Sequence, residues 1–116
     1  MRIVTQRVYD TDHVAGYRVL VDRLWPRGLS KAKAGLDEWC KETAPSEELR
    51  RWYGHDAEKW REFRQRYLKE LRANREAAAD ILKHARKKKT LVLLYGAKDE
   101  ALTHARVLKE FLQKML

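Results

Sequence analysis

Two short apolar runs, each followed by a polar turn and then a helical segment, most constrain the fold of this chain. The runs are YRVLVD at residues 17–22 and TLVLLY at residues 90–95. Both are continuous in hydrophobicity rather than alternating, which is typical of strands covered on both faces of a parallel sheet. The sequence therefore predicts an α/β fold in which helices pack on a small sheet.

The remaining segments predict one more strand and several helices. Residues 2–9 are rich in β-favouring residues that roughly alternate with polar ones, which favours a strand. Residues 31–35 are predicted to form a basic connector, and apolar spacing and capping residues predict five helices: a short one at residues 36–41, then one opening at Ser46, one at Asp56, one at residues 77–88, and a last one capped by Asp99. Helices between the second and third strands favour a mostly parallel sheet of three or more strands. A chain of 116 residues fits one domain, spanning residues 1–116.

Composition narrows the class of protein and of partner. The hydrophobic fraction of 44% is high enough for a packed core and excludes a disordered chain. The net charge of +9 predicts an anionic partner. The single cysteine, Cys40, cannot form an internal disulfide, and with no secretory leader the chain is expected to be cytoplasmic. The longest apolar run, residues 91–95, is too short to cross a membrane, so no membrane partner is expected.

Polar residues that follow the two buried runs form the candidate site. In open α/β sheets, ligands bind beyond the carboxyl ends of the strands, and a helix starting there adds unpaired N–H groups. If the two strands are neighbours, their turns bring together residues that suit a phosphate, sulfate or carboxylate. These residues are Asp22, Arg23, Arg27, Lys98, Asp99 and His104. The sequence does not decide whether the site is catalytic; if it is, Asp22 or His104 acts as acid or base.

Several of these residues also have a structural interpretation. Arg23 either contacts a ligand or pairs with a neighbouring aspartate, and Trp25 either contacts a ligand or shapes the turn. Arg64 falls inside the apolar stripe of its helix, so it reaches the rim, makes a buried pair or completes the basic site. The histidines and Cys40 lack metal-ligand spacing, and no cofactor motif is present, so neither a metal nor a cofactor is expected.

Two other functions remain open. The basic helical segment, residues 47–89, predicts sequence-tolerant nucleic-acid binding in which arginines and lysines contact phosphates and an aromatic residue stacks on bases. The residues concerned are Arg50, Arg51, Arg61, Arg72, the cluster 86–89, and Trp52 or Tyr53. A protein-docking adaptor is the third possibility. The pattern leaves the oligomeric state open.

The chain resembles a known family over nearly its whole length. The motifs that carry the resemblance are RVYD at 7–10, GYRVLVDRLWPRGLSK at 16–31, LDEW at 36–39, APSEELRRWYGHD at 44–56, FRQRYLKEL at 63–71, and LLYGAKD with a later HA within 93–105. The chain is thereby identified as a member of the YeaO-like family (domain of unknown function 488), bacterial and archaeal proteins with no established reaction. The resemblance implies an α/β fold with ligands at the strand ends. In a broader related group a cysteine often follows the later strand, whereas Gly96 and Ala97 stand there in this chain.

Overall fold

The computed structural model describes all residues, 1–116, and contains one four-stranded sheet. The strands are β1 (Arg2–Arg7), β2 (Tyr17–Leu20), β3 (Glu38–Trp39) and β4 (Thr90–Tyr95). Their order is β1-β4-β2-β3, and each neighbouring pair is parallel. The predicted α/β fold with a mostly parallel sheet is thus confirmed.

Strand β4 is the centre of the sheet because it pairs with β1 on one side and with β2 on the other. Its residues 91–94 are fully buried. Leu91 and Leu93 belong to one apolar cluster, whereas Val92 and Leu94 belong to a second cluster on the opposite face. Burial on both faces explains why this run is continuously aliphatic.

Five helices cover the two faces unequally. They are α1 (Lys31–Ala34), α2 (Glu47–Tyr53), α3 (Trp60–Ala73), α4 (Arg75–Ala85) and α5 (His104–Met115), with a 3₁₀ turn at Ala57–Lys59 before α3. Helices α4 and α5 contact the sheet, α3 packs on α5, and α2 packs on α3. The opposite face is covered by α1 and by loops, and Trp25 of the turn after β2 lies there in edge-to-face contact with Trp39 of β3. None of the helices is both long and apolar enough to cross a membrane.

A buried arginine forms hydrogen bonds that link several segments on the loop-covered face of the sheet. Arg18 of β2 is 6% exposed, and its guanidinium donates hydrogen bonds to the carbonyls of Gly35 and Val14 and to Oε1 of Gln6. Burial lowers the pKa of Arg18, and Asp37 partly offsets that effect. Because its partners come from the C-cap of α1, from β1 and from the loop before β2, this one side chain links three segments of the fold.

The prediction of a helix at residues 36–41 is wrong. This stretch contains β3 instead: the N–H groups of Asp37 and Cys40 donate to the carbonyls of Arg18 and Leu20. Strand β3 lies at the edge of the sheet and pairs on one side only, and both of its residues are partly exposed. The segment therefore lacks the run of buried apolar residues that would distinguish a strand from a polar helix in sequence. The preceding residues, predicted to be a connector, contain α1, whose first turn is capped by Ser30.

The last helix begins at His104 and not at Asp99. Thr103 is its N-cap, and the Thr103 hydroxyl accepts the Ala105 N–H. Asp99 instead uses Oδ1 to accept the N–H groups of Ala101 and Leu102, which closes a local turn. The helix start predicted beside Asp99 therefore lies five residues further on, at His104.

Candidate functional site

A cleft of about 470 Å³ lies at the carboxyl ends of β2 and β4. These strands are neighbours, so the turns that follow them meet at one edge of the sheet. The turns after β2 and β4, the start of α5, and residues of α2 and of the segments on either side of it supply most of the lining, and Tyr9 and Phe63 complete it. Its polar and charged lining residues include Asp22, Arg23, Arg27, Arg50, His55 and His104.

The carboxylate of Asp22 and the imidazole of His104 lie side by side at the base of the cleft. His104 Nε2 is 3.3 Å from Asp22 Oδ1 and 3.0 Å from the carbonyl oxygen of Val21. Both neighbours are hydrogen-bond acceptors, so Nε2 is the ring nitrogen that carries a proton. Only Nδ1 of His104 is left for a further contact.

Asp22 is held by the turn that follows β4. Its Oδ2 accepts the Gly96 N–H at 2.9 Å, and a Cβ at position 96 would lie 3.0 Å from that oxygen, so a glycine permits this approach. Oδ1 is buried and makes no hydrogen bond. Burial raises the pKa of Asp22 above its ordinary value of 3.8, while His104, the Gly96 N–H and His55 partly offset that rise.

The raised pKa of Asp22 makes stability depend on pH. The folded protein binds this proton more tightly than the unfolded chain, so the stabilisation is complete below pH 3.8 and is lost as the pH rises through the folded-state pKa. Asp22→Asn keeps an acceptor for the Gly96 N–H but does not ionise. We therefore expect the unfolding free energy of Asp22→Asn, relative to the wild type, to increase from acid to neutral pH. Urea unfolding across that range measures the difference; a constant difference would contradict the assignment.

Three arginines of the cleft have no carboxylate partner. Arg23 donates from Nε to the carbonyl of Pro45 at 3.3 Å, and none of Arg23, Arg27 and Arg50 has a carboxylate oxygen within 4.0 Å. The arginines that do form ion pairs, Arg51 and Arg66 among them, lie outside the cleft. The cleft therefore gathers positive charge that the protein itself does not neutralise.

The other predicted site residues divide into two groups. Trp25 lines the cleft, although its indole N–H is used by the carbonyl of Leu29 at 2.7 Å. Lys98 and Asp99 are exposed and lie outside the lining, beyond the turn that carries Gly96 and Ala97. Arg64 reaches the surface, where it pairs with Glu110 of α5. Of its three predicted alternatives, the structure shows Arg64 at the rim of its helix.

Three lining residues in and just after α2 were not predicted as part of this site. Arg50 and Tyr53 belong to α2, and His55 follows it. His55 has φ of 59°, a left-handed conformation that a non-glycine residue seldom adopts. The sequence offers one signal, the adjacent Gly54 and His55 at the end of a helix. Strain of this kind concentrates at functional sites.

The basic helical segment presents less free charge than its composition indicates. Arg51 and Arg66 are paired with glutamates one helical turn away. Lys59 and Arg66 also lie over the ring of Trp52, and Tyr53 is only 6% exposed, so neither aromatic side chain presents an open face. The cluster 86–89 precedes β4, at the opposite end of the sheet from the cleft.

The cleft is not a metal centre of the usual kind. No group of three or more His, Cys, Asp and Glu side chains in the structure is placed to hold an ion. Cys40 is buried outside the cleft, and burial raises the pKa of its thiol, which disfavours the thiolate. The lining therefore offers guanidinium groups without carboxylate partners, and a carboxylate and an imidazole in contact at its base.

The fold and the cleft place the chain among α/β proteins that have a basic cleft at the carboxyl edge of an open parallel sheet. Residues 2–116 match the model of a family described as "Inactive DUF488-N3 subclade", and the chain belongs to this family. This confirms the resemblance to the YeaO-like group.

Curated relatives extend over the same length. The uncharacterized protein YeaO of Escherichia coli (strain K12) is 45% identical over 116 residues, which covers 99% of this chain and 100% of the relative. Uncharacterized proteins of Mycobacterium bovis and Mycobacterium tuberculosis are each 40% identical over 112 residues, covering 96% of this chain and 93% of the relative. No solved structure matches the chain.

Proposed function

We propose that the protein binds a small anionic ligand, bearing a phosphate or a carboxylate, in the cleft at the carboxyl ends of β2 and β4. The observation that carries this proposal is the set of three arginines, Arg23, Arg27 and Arg50, that line one cleft without a carboxylate partner. Guanidinium groups recognise phosphate and carboxylate by paired, charge-assisted hydrogen bonds. Arg23 is partly buried, whereas Arg27 and Arg50 are exposed at the mouth of the cleft, where an anion can reach their guanidinium groups.

Binding without turnover fits the site better than catalysis. The proton on His104 Nε2 is directed at the Val21 carbonyl, and Asp22 Oδ1, which lies 3.3 Å from that nitrogen, is shielded from solvent. Both groups therefore contact the protein itself more than the cleft, which suits a positioning role. The description of the family as an inactive subclade supports the same interpretation. Catalysis by Asp22 or His104 stays the alternative, and hydrolysis of a bound phosphomonoester would establish it.

Replacing the cleft arginines tests the proposal directly. With ribose 5-phosphate as the probe at low ionic strength, we expect Arg23→Met and Arg50→Met each to weaken binding by about tenfold or more, because a hydrogen bond to a charged group contributes about 1.5–3 kcal/mol. Isothermal titration calorimetry measures the dissociation constants. Methionine retains much of the arginine stem, so packing changes little.

Lys98→Met is the matched control, because it removes one positive charge from an exposed residue outside the cleft. It is expected to leave the affinity close to that of the wild type. If Lys98→Met weakens binding as much as Arg23→Met does, the affinity reflects net charge and the cleft is not the site. Absence of binding by the wild type would also reject the proposal. Nucleic-acid binding by the basic helical segment and docking on another protein stay predictions that no feature of the structure favours.

A further inference from the structure

The size of the cleft indicates that its anion is attached to a larger body. A volume of about 470 Å³ equals the liquid volume of roughly 15 water molecules at about 30 Å³ each. An inorganic phosphate fills only a small part of that space. Cavities of roughly 300–1,000 Å³ are typical of sites for organic ligands. The polar groups that stay free in the cleft therefore bear on the chemistry of that body.

Many polar side-chain atoms of the lining are already used within the protein. The Tyr9 hydroxyl donates to the carbonyl of Arg27 at 2.8 Å, and the Tyr53 hydroxyl donates to the carbonyl of Leu102 at 3.1 Å. The indole N–H of Trp25 donates to the backbone as well. The arginines and the histidines of the lining, in contrast, keep polar atoms that no protein group uses.

Nδ1 of His104 is one of these free atoms, and its hydrogen-bonding role follows from the other ring nitrogen. Nε2 donates to the carbonyl of Val21 at 3.0 Å, so Nδ1 is the acceptor of the neutral ring. Nδ1 makes no hydrogen bond within the protein, and Asp22 Oδ1 is the one buried side-chain atom without a partner, so solvent reaches Nδ1. His104 lines the cleft and its side chain is 16% exposed, so a ligand in the cleft can contact this acceptor.

A free acceptor in a cleft of arginines restricts the groups that a ligand can carry. A phosphate dianion or a carboxylate has only acceptor atoms, so it cannot bond to an unprotonated Nδ1. An ammonium group could donate to Nδ1, but Arg23, Arg27 and Arg50 would repel its charge. A hydroxyl is neutral, donates to Nδ1, and with the same oxygen accepts from a guanidinium. The lining therefore suits an anion whose body carries hydroxyl groups.

We propose that the ligand is a phosphate ester of a polyol, of the glycerol phosphate and sugar phosphate class, with its phosphate at the arginines and one hydroxyl donating to His104 Nδ1. This inference rests on the proposed function, because it assigns the phosphate to the same three arginines. It adds the hydroxyl-bearing body and gives His104 a contact with the ligand.

Two probes of matched shape test whether hydroxyl groups are recognised. Glycerol 3-phosphate and n-propyl phosphate share a three-carbon chain and a phosphate, but n-propyl phosphate has no hydroxyl. At mildly alkaline pH, where imidazole is ordinarily neutral, we expect glycerol 3-phosphate to bind about three- to tenfold more tightly, the range that one net hydrogen bond contributes. Isothermal titration calorimetry measures both affinities. Equal affinities, or tighter binding of n-propyl phosphate, would overturn this inference and leave the proposed function intact. Absence of binding by both probes would overturn both proposals.

His104→Gln tests whether His104 is the group that recognises the hydroxyl. Glutamine retains an N–H that can donate to the Val21 carbonyl but lacks the Nδ1 acceptor. The preference for glycerol 3-phosphate over n-propyl phosphate is expected to fall to about one. His84→Gln is the matched control, because His84 is exposed, pairs with Glu38 and lies outside the cleft. It is expected to keep the preference of the wild type. A preference that stays unchanged in His104→Gln, or that falls equally in both variants, would overturn the assignment to His104.

Nitrogen-15 spectra of the imidazole in the wild type test the same contact without a substitution. When glycerol 3-phosphate binds, the His104 Nδ1 resonance is expected to stay that of an unprotonated nitrogen and to move upfield, because this nitrogen then accepts a hydrogen bond. Binding of n-propyl phosphate is expected to leave it nearly unchanged. Protonation of Nδ1 in the complex with glycerol 3-phosphate would overturn the proposal, since His104 would then act as a cation towards the phosphate.

Discussion

Gly16→Ala is expected to lower the free energy of unfolding by about 3 kcal/mol or more. Gly16 has φ of 150°, a conformation that residues with a side chain rarely adopt. A Cβ at this position would lie 2.5 Å from the carbonyl oxygen of Thr90. That oxygen belongs to the backbone of the central strand, which is hydrogen-bonded on both sides and cannot move aside. The clash therefore displaces the start of β2 from β4.

Gly28→Ala provides the control for this prediction. Gly28 also has a positive φ, 76°, but nothing lies within 4 Å of a Cβ added there. It is therefore expected to lose only the cost of the left-handed conformation, about 1 kcal/mol. Urea unfolding curves of the two variants and the wild type give both values. Equal losses in the two variants would show that contact with Thr90 contributes nothing.

The parts of the fold that sequence predicts well are those whose residues are constrained on both faces. Residues 91–94 of β4 are aliphatic, as are Val19 and Leu20 of β2, because successive residues are buried in two apolar clusters on opposite faces of the sheet, and this pattern has few alternatives. The edge strand β3 has no such constraint. Its pairing with β2 depends on backbone N–H and C=O groups, which nearly every residue carries, so no side-chain pattern predicts this strand.

The start of α5 shows how two good caps compete. Asp99 and Thr103 are both typical N-cap residues. Asp99 closes a turn with its own neighbours, and the helix begins only after Thr103. His104 nevertheless lies at the candidate site, because the chain from β4 returns over the edge of the sheet before the helix starts. The error in the predicted start of the helix therefore left the predicted position of His104 at the cleft unchanged. Lys98, by contrast, lies outside the lining.

The lining residues that come from segments distant along the chain could not be predicted from the sequence. Arg50 and His55 line the cleft because α2 packs on α3, and α3 packs on α5 across the helical face. That arrangement depends on how several apolar stripes interlock, and local spacing does not encode it. The turn after β2 was predictable because it follows its own strand directly. The candidate site thus divides into local residues that sequence finds and packed residues that it does not.

Tyr67→Ala is expected to be the most damaging substitution near the cleft, with a loss of about 3–5 kcal/mol in unfolding free energy. Tyr67 of α3 is fully buried, and its ring meets Phe63 and the imidazole of His104, with centroids 5.9 and 6.0 Å away. Its hydroxyl donates to the carbonyl of Thr43. Burial raises the pKa of Tyr67 well above its ordinary value, so this hydroxyl stays a donor. Thermal and urea unfolding measure the loss.

Tyr67→Phe separates the ring from the hydroxyl. It keeps the packing but leaves the Thr43 carbonyl without its donor, which costs about 1–3 kcal/mol. Thr43 lies two residues before Pro45, whose carbonyl accepts the hydrogen bond from Arg23. Loosening this segment is therefore expected to weaken ribose 5-phosphate binding as well as stability. A variant that loses stability but binds ribose 5-phosphate as the wild type does would show that Arg23 is positioned independently of the core. Weaker binding would instead show that the core and the cleft are coupled through residues 43–45.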